Sequence, residues 1–303
     1  MTWPELPPYD AWSDTCDTLH AHAQVLGKLA VALADPEHQL LHTALQLTAR
    51  GWETWPLPAP NGSGSLVVAL DLCRHEALVE HSEGRREAIP LAPHRSVADV
   101  TREVLDAVRS LGGDVEINMA PQETPWSTPL DQDTEHATYD EAQVKAYFEA
   151  ATCAAGVLAA FRAPYRGRKT PVNAWWGSFD LAVDLYSGAP AQPPSDGFIM
   201  RNTMNAEQVA AGWWPGDGRY GRPAFYAYAY PAPEGIRDAD VSPGSWNDEL
   251  GEHLLDWDDV RATTTPHETA LGFCRGFARQ ALALAGWGSD LAASLEGDPP
   301  PVA

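Results

Sequence analysis

Residues 10–34 read DAWSDTCDTLHAHAQVLGKLAVALA. Apolar side chains recur from Trp12 through Cys16, Leu19, Ala23, Leu26 and Ala30, the three-or-four spacing of one helix face. The stretch predicts a long amphipathic helix over Asp10 to Ala34. Past the helix the period changes. HTALQLTARG (42–51), SLVVALDLC (65–73), ALVEHS (77–82) and REAIPL (86–91) are short apolar runs separated by turn residues such as NGSGS and SEG. They predict an antiparallel meander. Ser96, with Asp99 three residues on, starts a second helix that runs to Leu111 and stops at Gly112-Gly113, and DVEIN (114–118) reads as a further short strand. A helix, then a run of strands, then a helix is the order of an α+β fold.

The Pro-rich APQETPWSTPLDQDTEH (120–136) has the composition of a surface crossing. It divides the chain into an N-terminal α+β unit (1–119), a crossing (120–138) and a C-terminal α+β unit (139–303) with a long irregular insertion. Beyond the crossing come a helix over about 139–161, strands around AWWGSFDLAVDLYS, the strand AFYAYAY (224–230) and a last helix over about 267–285. Both halves therefore read helix, antiparallel sheet, helix, and both open on Tyr-Asp, at Tyr9-Asp10 and Tyr139-Asp140. Either the chain is a degenerate internal duplication, or a common arrangement recurs by chance.

Composition removes several function classes. A formal charge of −22 repels phosphate backbones, so no nucleic-acid partner is expected. No long uncharged apolar run predicts a membrane span, and the first residues lack a signal peptide's basic and apolar regions, so the expected compartment is the cytoplasm. Cys16, Cys73, Cys153 and Cys274 form no CxxC pair, and neither disulfides nor a metal knuckle is expected. The phosphate-binding, dinucleotide, serine-hydrolase and zincin motifs are absent, with His267-Glu268 followed by Leu271 rather than histidine. No organic cofactor is expected.

Four groups of residues retain chemical interest. His20, Gln24 and Lys28 stack at i, i+4 and i+8 on one helix face beside Gly27; they form either a hydrated row or the wall of a cleft. Arg162, Arg166, Arg168 and Lys169 are clustered in an acidic chain, as an anion site or as cations at a helix C-terminus. If AWWGSFDLAV is one continuous strand, Trp176, Ser178 and Asp180 share one face and Trp175, Gly177 and Phe179 the other. Trp213, Trp214, Tyr226, Tyr228 and Tyr230 provide rings with polar tips that serve equally as a pocket lining or as core.

The blocks DTCDTLH with GK, LTARG, PVNAWWGSFDLAV, GWWPG and AFYAYAYPAPEG resemble an uncharacterised bacterial family, domain of unknown function 5996, along nearly the whole chain. The resemblance matches His20, Gln24, Lys28, His42, Arg50, Arg162, Lys169, Asp180 and Glu207. It also implies a histidine where this chain has Asn173, a His-Glu pair where it has Ala206-Glu207, and a histidine-aromatic run at Gln39-Leu40-Leu41. A metal or acid-base site built on those histidines would be largely lost here, so no metal is expected. Together these readings favour an enzyme on a small, anionic molecule. His20 or His42 would transfer the proton with Asp180 or Glu207 as partner; Gln24, Lys28, Arg50, Arg162 and Lys169 would hold the ligand, beside Trp176, Trp214, Tyr226 and Tyr228. The competing readings are a non-catalytic small-molecule-binding module with an aromatic pocket, and an interaction scaffold. Lys28, if it faces inward, should find Asp180 or Glu207 within salt-bridge range, or a ligand anion should occupy the gap.

Overall fold

The structure, a computed structural model, describes residues 3–295 and mixes helices with antiparallel strands. The chain forms two compact units whose division differs from the one expected at the crossing. The first takes in Leu6–Glu149 and Ala174–Asp180. It holds α1 (Ser13–Leu33), β1 (Leu45–Leu47), β2 (Gly51–Glu53), β3 (Leu57–Pro58), β4 (Ser65–Asp71), β5 (Glu76–His81), β6 (Arg86–Pro90) and α2 (Val97–Gly112). The expected strand over 42–51 is instead a 3-10 turn (His38–Thr43) followed by β1, because Gln39 and Leu40 take left-handed backbone. The crossing 120–136 is part of this unit rather than a linker.

The strands β1, β2, β4, β5 and β6 pair antiparallel in that order, with β3 also on β4. This is the meander read from the turn residues. α2 packs on β4, β5 and β6. It buries Val97, Val100, Val104, Ala107, Val108 and Leu111 and turns Arg102 and Asp99 outward as an ion pair of 2.7 Å. Ser96 caps it by accepting Asp99 N at 3.1 Å. DVEIN takes no strand conformation. α1 is different: from Thr15 to Ala30 it is buried on nearly every side, so its polar side chains require partners inside the protein.

α3 (Glu141–Arg162) contributes its residues up to Glu149 to the first unit and the rest to the second, and β7 is Asn173–Trp175. By length and composition α3 could cross a membrane, yet Val144, Tyr147, Ala150, Ala151, Ala154, Val157, Leu158 and Phe161 are buried among protein atoms, as in a core helix. The second unit also holds β8 (Asp180–Pro190), α4 (Phe198–Thr203), β9 (Ala206–Trp214), β10 (Ala224–Tyr230), β11 (Ser245–Asn247), β12 (Glu252–Asp256), α5 (Trp257–Arg261), α6 (Pro266–Leu284) and α7 (Ser289–Ser294). Its sheet runs β8, β9, β10, β12, β11, all antiparallel. Trp213, Phe225 and His253 share the face under α6, where His253 meets Phe277 at 5.4 Å. Trp214, Tyr226 and Tyr228 lie on the other face. The architecture is α+β; a repeat of one unit in the other is not shown.

Candidate functional site

The row on α1 points into the first unit. Gln24 is fully buried and forms a two-way bridge to the crossing: its Nε2 donates to Gln122 O at 2.8 Å and its Oε1 accepts Gln122 N at 2.8 Å. One turn on, Lys28 donates to Ala120 O at 2.7 Å with its ammonium 5.4 Å from the Trp176 ring centroid. Only 4% of Lys28 is exposed, and burial pushes its ammonium down to about 8. Its partners are thus a carbonyl and an indole, where the sequence pointed to Asp180 or Glu207. Gly27 is required here, since a Cβ would stand 2.1 Å from the Trp176 ring.

Trp176 is fixed at several points. Its Nε1 donates to Thr43 O at 3.1 Å, and its own carbonyl accepts His20 Nε2 at 2.9 Å. The run 176–179 is a turn between β7 and β8, so the strand alternation expected for WWGSFD does not hold. Phe179 has φ 57°, an expensive conformation for an aromatic residue, and its ring is held in a stack: His20 at 4.9 Å on one contact, Tyr147 at 5.2 Å on another. Among the described residues, four of the six non-glycine residues with positive φ, namely Gln39, Leu40, Glu123 and Phe179, lie in the three segments that close around this point. Gly177 admits the Glu123 carboxylate, which would be 2.3 Å from any Cβ. Such strain persists where surrounding contacts over-determine the backbone.

His20 sits at the open end of the row. Its Nε2 faces two carbonyls, Trp176 O at 2.9 Å and Gly177 O at 3.1 Å, and more distantly the Gln24 amide nitrogen at 3.3 Å; the two shorter contacts to acceptors favour the proton of the neutral ring on Nε2. Trp126, delivered by the crossing, touches the His20 ring edge-on at 5.5 Å and the His136 ring at 4.9 Å. His136 Nδ1 donates to Asp133 Oδ2 at 2.6 Å. Asp133 is 1% exposed and also accepts the amides of Glu135 and His136 at 3.1 Å. Its own carbonyl and that of His136 accept Ala98 N and Val97 N at 2.9 Å, which anchors the pair to the start of α2. A buried carboxylate that fixes Nδ1–H leaves Nε2 of His136 as the acceptor. Nearby His22 is buried and pushed down to about 4, first by desolvation and then by the Arg95 charge, so it stays neutral beside Asp133.

The remaining sequence candidates are distributed over both units. In the first, His42 accepts Glu37 N at 3.1 Å and burial lowers its pKa, Arg50 is bound to Glu53 and Glu80 at 2.8 Å each, and Asp180 accepts the Ser178 hydroxyl. In the second, Arg162, the last residue of α3, donates to the loop carbonyl of Thr170, and Lys169 donates to Ala163 O at 2.9 Å and Tyr165 O at 2.6 Å, just beyond the end of that helix. Also there, Glu207 accepts Ser187 Oγ at 2.7 Å, and Trp214, Tyr226 and Tyr228 form a strip with centroids 5.6 and 6.3 Å apart. Asp133, His136 and Trp126 were not singled out by sequence. Their signal was an Asp-x-x-His pair inside a segment whose prolines read as linker. Among the described residues no group of three His, Cys, Asp or Glu side chains is arranged to hold a metal ion.

The chain belongs to the family of unknown function DUF5996, whose model matches residues 3–294. No curated protein and no solved structure matches it.

Proposed function

We propose that this chain is an acid-base enzyme for a small, uncharged molecule, with His136 as the proton-transfer group, Asp133 as its positioning residue and His20 as the second imidazole beside Trp126. The observation that carries the reading is the 2.6 Å contact between buried Asp133 and His136 Nδ1, which fixes one tautomer of a ring that is still 17% exposed. His136 turns its Nε2 lone pair away from Asp133, and the rings of His20 and His136 both meet the indole of Trp126. An uncharged substrate fits because Lys28, Arg50, Arg162 and Lys169 are all engaged by the chain's own oxygen atoms. A binding module is the second reading, favoured by the Trp214, Tyr226 and Tyr228 strip of the second unit.

The test is incubation of the purified chain with mixtures of neutral metabolites, followed by NMR for consumption of any component. The wild type should convert a compound at a rate that His136→Gln lowers by roughly 10²- to 10⁴-fold. Asp133→Asn should lower it less while leaving the melting curve cooperative. Conversion that survives both His136→Gln and His20→Gln unchanged would overturn the assignment.

A further inference from the structure

Residues 114–118 (DVEIN) belong to no sheet, yet the side chains there follow the period of a strand. Asp114, Glu116 and Asn118 are exposed, whereas Val115, Ile117 and Met119 are half-buried. None of residues 114–120 is buried, and valine and isoleucine favour strands. Both ends of the stretch are fixed. Gly112 O accepts Asn61 N at 2.8 Å and Arg109 Nε donates to Asp114 at 2.6 Å; at the other end Met119 O accepts Leu130 N at 2.9 Å and Ala120 O accepts the Lys28 ammonium. Between these anchors, no main-chain N–H or C=O of 114–118 has a hydrogen-bond partner among the described residues. Open amide and carbonyl groups thus stand on a stretch already held in place, where pairing with a further strand costs little ordering.

The sequence of the stretch selects the occupant. In an antiparallel pair, directly opposed residues point to the same face, so exposed positions oppose exposed ones. For two identical copies, a two-fold through Val115 would set Asp114 against Glu116, and one through Glu116 would set that carboxylate against its own copy. Like charges opposed in this way repel. A two-fold through Asn118 would bring Pro121, which has no N–H, into the ladder. A two-fold through Ile117 has neither fault. It sets Glu116 against Asn118, Asp114 against Ala120, Val115 against Met119 and Ile117 against itself, so no carboxylates are opposed and apolar meets apolar.

We propose that residues 114–120 are a dimerisation edge, pairing antiparallel with the same residues of a second copy about Ile117. The net charge of −22 on each copy opposes the approach, so association strengthens with salt, the reverse of what a basic partner strand would show. Neither His136 nor proton transfer enters the test. Sedimentation equilibrium of the full chain should show a dimer forming at up to about 1 mM protein, favoured as salt rises from about 0.05 to about 0.5 M. Every second amide of 114–120 should then exchange more slowly than in the monomer. Ile117→Pro breaks no hydrogen bond of the monomer and should abolish association. Asn118→Asp keeps the acceptor for Ala120 N but opposes a new carboxylate to Glu116 twice per dimer, and should weaken association roughly fivefold. If Ile117→Pro lowers the melting temperature, Asn118→Asp decides alone. A chain that stays monomeric in high salt, or a dimer indifferent to Asn118→Asp or surviving Ile117→Pro, overturns the proposal. So does a monomer whose 114–118 amides are protected only by an added lysine-rich strand peptide.

Discussion

Gly27 and Gly212 each lie beneath an aromatic ring, and their surroundings differ in kind. A Cβ on Gly27 of α1 would strike Trp176, and a Cβ on Gly212 of β9 would strike Tyr226, at 2.1 and 2.2 Å. In the sheet, Tyr226 and Gly212 are cross-strand partners, and two rings beside it, Trp214 and Tyr228, come from the same two strands. The arrangement is local to one ladder. On the helix, the ring over Gly27 comes from a distant turn, is tied to Thr43, and shares its neighbourhood with side chains that grip residues 120 and 122. Similar packing thus has different reach. One ring completes a ladder, while the other joins separate stretches of the chain and sets where His20 stands.

Substitution at the two glycines should separate their roles most sharply. Gly27→Val should destabilise by roughly 4 kcal/mol or more, because neither the helix backbone nor the tethered indole can yield. It should also perturb the His20 resonance. Gly212→Ala is opposed by the Leu181 carbonyl at 2.5 Å as well as by Tyr226, so it too should destabilise, yet the NMR shifts should stay within β8 to β10. Chemical-shift mapping of both variants separates the cases, and equal spread of the perturbations would contradict the distinction.

The next effect is pH-dependent. His22 has a folded-state pKa of about 4 against an ordinary 6.5, so the unfolded chain binds a proton that the folded chain refuses between those values. Its contribution to stability is present above 6.5 and is lost as pH falls toward 4. Denaturant titrations of His22→Gln should accordingly show a flatter acid limb, by up to about 3 kcal/mol at pH 4. An unchanged limb would mean that His22 accepts a proton freely.

Truncating the bridge should matter less. Gln24→Ala removes both bonds to Gln122 and should cost about 2 kcal/mol, with faster amide exchange at Gln122. The smallest effect is expected at Lys28. Burial holds its ammonium down to about 8 against an ordinary 10.5, so folding works against the charge at neutral pH, and stability should rise between those values as the unfolded chain alone stays protonated. Lys28→Met should be close to neutral at pH 7, within about 1 kcal/mol, and should abolish that alkaline rise.

Much of the fold was legible in the sequence for identifiable reasons. The period of Trp12 to Ala30 matched a helix, the NGSGS and SEG turns set the meander, and the Ser96 cap marked the start of α2. The turn at 176–179 was obscured because WWGSFDLAV alternates well enough to pass as one strand, and Gly177-Ser178 was the only breaker. DVEIN was read as a strand from local propensity alone, without a neighbour to pair with. Of the site, the row on α1 was legible from its spacing and from Gly27. What those residues bind was not, since their partners are backbone atoms 92 to 157 positions away, and backbone leaves no mark in the sequence. Asp133 and His136 were hidden by their proline-rich surroundings.

Packing fixes opposite tautomers on the two imidazoles beside Trp126. Long-range ¹⁵N–¹H NMR of the ring nitrogens at neutral pH reads this directly. His20 should show its proton on Nε2 and His136 on Nδ1, with Asp133→Asn disturbing His136 while sparing His20. Rapid tautomer averaging at both rings, or a proton on Nε2 of neutral His136, would contradict the account.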